Sequence, residues 1–203
     1  MRILSSTLFV LLILIALAVL FLFSGLYNVA AVQPHSPFVH WLLATMRDQS
    51  VARHSQTIQL SSLTDPQLAQ AGFREYHAMC FSCHSAPGDE LTEIAQGLNP
   101  APPKLDAEEV QARSDAELFW IVKNGIRMTG MPAFGPTHKK ETLWSIVAFL
   151  RRLPKMTPQE YKAMVEAAGL QEEAGEHAHS HAPARKPPQR EEEAHQHPHE
   201  HEH

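Results

Sequence analysis

The chain has two cysteines, and both lie in one five-residue stretch, Cys80-Phe81-Ser82-Cys83-His84. Two thiols with a two-residue spacer and an imidazole directly behind them constrain the surrounding fold, because whatever uses all three groups must be built locally. Four chemistries take such an arrangement in whole or in part: a disulfide, a redox dithiol, half of a zinc site, or covalent attachment of haem. The rest of the chain has to choose among them.

Composition divides the 203 residues into three regions, and only the middle one can fold as a globule. Residues 1–26 are almost purely apolar, and "STLFVLLILIALAVLFLFSGL" carries no charge over a length that crosses a bilayer core as a helix. That run exceeds the apolar core of an ordinary secretion signal, which favours an uncleaved transmembrane signal anchor over 1–26, although Val29-Ala30-Ala31 resembles a cleavage site. Either way the remainder is expected outside the cytoplasm, where cysteines are oxidised or occupied. Residues 27–170 carry 13 Lys/Arg against 14 Asp/Glu, a balance that offers no electrostatic basis for a nucleic-acid partner. The last 33 residues hold 8 of the 14 histidines among Pro and Glu; this composition reads as a disordered acidic tail with capacity for Zn²⁺, Cu²⁺ or Ni²⁺.

Helix signals organise the middle region. Residues 27–64 read as a linker in which Phe38 to Met46 can form a short helix near the membrane surface, the simpler reading being a tether with some local packing. Asp65 as N-cap and Pro66 at the first helical position open a helix whose apolar face, Leu68, Gly72, Phe73 and Tyr76, leads directly into the cysteine pair. From Ser85 to Pro103 the chain is Gly- and Pro-rich and reads as a long loop. Ser114 with Glu117, and Thr157 with Glu160, are capping boxes for two further helices. Between them "KETLWSIVAFLRRL" forms a helix ended by Pro154. No strand pattern is present, so the expectation is an all-α domain over 65–155, a short C-terminal helix over 156–170 and the tail over 171–203. A core this small with so much irregular chain needs something else at its centre.

A disulfide between Cys80 and Cys83 closes too small a loop to stabilise a domain. A redox dithiol belongs at the end of a strand, and this context is helical. A structural zinc site needs four protein ligands, and the folded region has no second pair at suitable spacing. Cys-x-x-Cys-His is the attachment pattern of c-type haem, with both thiols bonded to the macrocycle and His84 as proximal iron ligand. The expected sixth ligand is Met131, which lies 47 residues after His84 in "TGMPAFG". Gly130 there permits close backbone approach and Pro132 stiffens the loop. Met128 is the runner-up, and His138 or His77 could make a bis-histidine site; His138 reads as an exposed helix-start residue and His77 as a solvated helix histidine.

With these residues in view, the chain resembles the class I c-type cytochromes, in the membrane-anchored single-haem bacterial form similar to the haem domains of cbb3 oxidase subunit III. The resemblance rests on Gly72 and Tyr76 before the Cys-x-x-Cys-His, "NGI" at 124–126, "TGMPAFG" at 129–135 and "LWSIVAFLRRLP" at 143–154. It implies a cytochrome c fold of three to four short helices around one haem c, with Cys80, Cys83, His84 and Met131 binding it. It further implies that the first and last long helices cross near Gly72 and Trp144. A backbone carbonyl of Pro102 or Pro103 is implied to orient His84. The expected function is one-electron transfer between redox protein partners, by a single-pass protein of a bacterial inner membrane with its haem domain on the periplasmic side. No catalysis of its own is implied; the chain could be a subunit of an oxidase or dehydrogenase complex. The family pattern does not account for the His-rich tail, which leaves a metal-binding role as an alternative.

Overall fold

The structure, a computed structural model, describes residues 2–170. The His-rich tail and the metal binding expected of it lie outside the described residues. Those residues are all-helical: α1 Arg2–Phe23, α2 Pro37–Ser55, α3 Pro66–Met79, α4 Phe81–His84, α5 Glu93–Gln96, α6 Glu108–Gln111, α7 Asp115–Asn124, α8 Lys140–Leu150 and α9 Pro158–Ala167. A 3-10 turn, Leu153–Lys155, links α8 to α9.

The helix ends follow from local chemistry. The Asp65 carboxylate accepts the Gln67 amide at 2.9 Å, with Pro66 at the first position of α3. In α7 the Ser114 amide donates to Glu117 Oε2 at 2.8 Å while the Glu117 amide donates to Ser114 Oγ at 3.3 Å. Thr157 and Glu160 repeat this reciprocal box at the start of α9. Of two one-turn helices, α5 falls within residues 85–103, which the sequence reads as loop throughout, and α6 in a stretch the sequence left unassigned. Each is four residues long, too short for a periodic signal.

Helix α8 is the centre of the domain, with every residue from Leu143 to Leu150 buried. A helix apolar on all sides can only sit inside, with partners around it. Helix α3 crosses it at Gly72, where an added Cβ would lie 1.8 Å from the Ser145 carbonyl oxygen. The crossing thus falls at Gly72 and next to Trp144, where the resemblance implied it, with Ser145 as the residue of closest approach. Trp144 turns the other way and stacks on Phe119 of α7, with ring centroids 4.3 Å apart. Phe73 and Tyr76 of α3, Phe149 of α8 and Tyr161 of α9 form an aromatic core with centroids 5.1–6.3 Å apart.

Residues 27–64 do more than link. Helix α2 runs nine residues beyond Met46, and its second half packs on the domain. Val51 is 1% exposed and Ser55 is buried. The Asp48 carboxylate takes a 2.7 Å ion pair from Arg113, and the His54 ring lies 5.9 Å from that of Trp120. Asp48, Val51 and Ser55 share one face at i, i+3 and i+7. The expectation of a tether with some local packing underestimated this segment, because its buried face consists of small and polar residues that carry little periodic signal.

Candidate functional site

The last turn of α3 runs directly into α4. The Cys80 amide donates to Tyr76 O at 2.8 Å, His84 N donates to Cys80 O at 2.8 Å, and Ser85 N donates to Phe81 O at 2.9 Å. Cys80 is therefore the last cap of one helix and the first of the next. It is 7% exposed, Cys83 is half-buried, and both are thiols. Burial, with Cys83 and Glu75 adding to it, pushes the Cys80 thiol up to about 12. A thiol held protonated to that degree is a poor redox nucleophile at neutral pH.

His84 is held by a residue far along the chain. Its Nδ1 lies 2.8 Å from the backbone oxygen of Pro103. A carbonyl oxygen only accepts, so Nδ1 carries the hydrogen and Nε2 keeps its lone pair. Burial lowers the tendency of this ring to take a second proton, against the opposing effect of the Pro103 bond. The imidazole is thus oriented and kept neutral, the state a metal requires. Pro103 rather than Pro102 supplies the carbonyl. Gln111, on α6, pins the chain that follows by donating to Leu105 O at 2.6 Å and to Leu150 O at 3.1 Å.

The residue after His84 is strained. Ser85 is buried with φ 58° and ψ 177°, a region that side chains rarely enter. Its carbonyl oxygen accepts a 2.6 Å hydrogen bond from the Tyr76 hydroxyl, which ties the turn back to α3. Burial pushes the Tyr76 hydroxyl well above its ordinary pKa, so it stays a donor. Ser85 Oγ and Trp144 Nε1 are buried polar atoms without a protein partner among the described residues.

Met131 lies in a loop folded back on the end of α7. Phe134 N donates to Val122 O at 3.2 Å, Gly135 N to Lys123 O at 2.8 Å, and Ile126 N to Met131 O at 3.2 Å. The Met131 amide donates to Thr129 Oγ1 at 3.1 Å. Gly125, at φ +66°, lets the two strands of chain meet, since an added Cβ would lie 2.7 Å from Met131 O. Met131 is half-buried in this arrangement, whereas Met128 is 90% exposed.

The other candidate ligands are engaged elsewhere. His77 is not the solvated helix histidine expected: it is half-buried, shares a 3.0 Å hydrogen bond with Tyr161 Oη, and lies 5.2 Å from the Phe81 ring. His138 is also half-buried, its Nδ1 2.8 Å from Thr137 Oγ1 and 3.2 Å from Phe134 O. Sequence reasoning missed Ser85, Gln111 and Tyr161 as supports of the site. Their roles depend on partners far apart in the chain, and only Tyr161, on the inner face of a capped helix, gave any signal.

Residues 67–150 match the family described as cytochrome c oxidase, cbb3-type, subunit III. No curated protein matches the chain. The matched stretch begins at the second residue of α3 and ends with α8, so it contains Cys80 to His84, Pro103 and Met131 and leaves out α1, α2 and α9. The family implies haem c and haem-based electron transfer. An all-α domain built around the α3–α8 crossing, with a Cys-x-x-Cys-His at the end of α3, accords with that match, which supports a c-type cytochrome domain of the cbb3 oxidase subunit III type over residues 67–150.

Proposed function

We propose that the chain is a membrane-anchored mono-haem c-type cytochrome that passes single electrons between membrane or periplasmic redox partners. In this reading Cys80 and Cys83 would hold one haem through thioether bonds, and His84 Nε2 and Met131 Sδ would be the ligands to its iron. The haem so held would supply a one-electron Fe(II)/Fe(III) couple, its ferrous state favoured by the thioether.

The observation that carries this reading is the 2.8 Å bond from His84 Nδ1 to Pro103 O. It leaves Nε2 as a metal-ready donor immediately behind two unpaired thiols, within the stretch matched by a haem c family. The exposure of Met128 and the engagement of His77 and His138 favour Met131 as partner. Helix α1 is long and apolar enough to cross a membrane, with none of its Ser6–Phe23 window buried. Anchored there, with the domain on the periplasmic side of a bacterial inner membrane, the cytochrome would stay at high effective concentration near its partners.

Visible spectroscopy of the purified holoprotein tests the assignment. Met131→Ala is expected to lose the methionine-to-iron charge-transfer band and to lower the midpoint potential, while Met128→Ala leaves both in place. An unchanged spectrum in Met131→Ala overturns the ligand. Haem that stays with the denatured chain, and is lost in Cys80→Ser with Cys83→Ser, establishes covalent attachment.

The family description favours one variant of this function, a haem subunit of a respiratory oxidase. Solubilisation in mild detergent distinguishes the two: co-migration with haem-copper oxidase subunits supports the subunit, and migration alone supports the carrier.

A further inference from the structure

Helix α2 lies outside the matched family stretch, and its two halves have different surroundings. The second half is bolted to the domain through Val51, Ser55 and the Asp48–Arg113 pair. That attachment is itself stiffened, because the Arg113 carbonyl accepts from the Arg151 guanidinium, which also grips Asp115 at 2.7 Å. The first half touches little. Phe38 is 66% exposed and Trp41 and Met46 are each 60% exposed, with the Phe38 and Trp41 rings 6.0 Å apart.

Beyond Arg2, the chain before α2 is uncharged as well. No Asp, Glu, Lys or Arg occurs between Arg2 and Arg47, so the absence of charge continues from α1 through the connection and the first half of α2. The connection is short. The carbonyl of Gln33 accepts a 2.8 Å hydrogen bond from Asn99 Nδ2, on the segment that follows His84. Only residues 24–32 therefore lie between the end of α1 and the first attachment to the domain, which spans about 35 Å at full extension. A turn from Gln33 N to Ala30 O shortens it further.

We propose that the first half of α2 rests in the headgroup region of the bilayer that α1 crosses, and that α2 is a strut setting one orientation of the haem domain on the membrane. Tryptophan and tyrosine favour that zone, and Trp41 and the exposed Tyr27 are both available to it. A protein partner would ordinarily be met by a patch with a polar rim. Here the uncharged stretch instead runs back into the candidate span. The proposal rests on the membrane-anchored reading above.

Spin labels on the full-length holoprotein in phosphatidylcholine vesicles test it, one at Phe38→Cys and one at Arg53→Cys near the far end of α2. Collision with oxygen reports lipid and collision with a water-soluble nickel complex reports solvent. Loss of nickel-complex collision with gain of oxygen collision at position 38, but not at 53, is the expected result. Equal solvent exposure at both positions in protein that floats with the vesicles overturns the strut and leaves the anchor intact. Protein that fails to float overturns the anchor and the strut together. Shielding of position 38 already present in detergent, with a doubled mass, assigns the patch to a second copy and overturns the lipid proposal.

Discussion

His84 Nδ1 and the carbonyl oxygen of Pro103 lie 2.8 Å apart although 19 residues separate them. The bond selects the tautomer and raises the donor strength of the other ring nitrogen. Pro103→Gly keeps the carbonyl but frees the backbone that aims it, so the imidazole is expected to donate less and the midpoint potential to rise. A hydrogen bond worth about 1.4 kcal/mol sets the upper bound, a tenfold change in equilibrium or about 60 mV for one electron. Redox titration of the holoprotein checks this, and a fall in potential contradicts it.

Gly72 is the most closely approached glycine among the described residues, with its missing Cβ 1.8 Å from Ser145 O. Gly72→Ala must move backbone against backbone, and the expected cost is about 1–3 kcal/mol or more, as for other overpacked cores. Gly130→Ala makes the informative contrast, because its added carbon meets only the end of the Leu98 side chain, at 2.7 Å. Thermal unfolding should show a large loss for the first and a small one for the second.

Ser85 stores strain at φ 58° beside a hydroxyl that has no partner among the described residues. Such a conformation costs roughly 1–3 kcal/mol in a residue with a side chain and little in glycine. Ser85→Gly is therefore expected to raise stability by about 1 kcal/mol after the added chain entropy is offset. Tyr76→Phe, which removes the 2.6 Å bond to the Ser85 carbonyl, should lower it by about 1–3 kcal/mol. Denaturant titration of the pair reads both signs.

Burial raises the Asp48 carboxyl, but hydrogen bonds from Arg47 and Arg113 outweigh that and hold it below its ordinary value of 3.8. A lowered value means that the unfolded chain binds the proton more tightly. The contribution is complete above pH 3.8 and is lost as pH falls through the folded value. Because the pair is partly solvent-exposed, at most about 1 kcal/mol is at stake. Hydrogen exchange should therefore show α2 losing protection before α3 and α8 as pH falls, and Asp48→Asn should give the same loosening at neutral pH.

Much of this protein was legible in the order of its residues, where the deciding interactions are local. Asp65, Ser114 and Thr157 announce their helices because a cap bonds to an amide two or three residues away. Cys80, Cys83 and His84 lie within a single turn, so their spacing alone narrows the chemistry, and the apolar face of α3 shows in its period. The tertiary structure decided what depends on distance. It chose Pro103 over Pro102, set Gly72 against the Ser145 carbonyl, and drew His77 to Tyr161, 84 residues away. It also made α2 a docked helix, through an Asp48–Arg113 pair that spans 65 residues. Contacts of that kind leave no pattern in a single sequence, because the two partners become neighbours only when α3 and α8 have crossed and the remaining chain has packed around them.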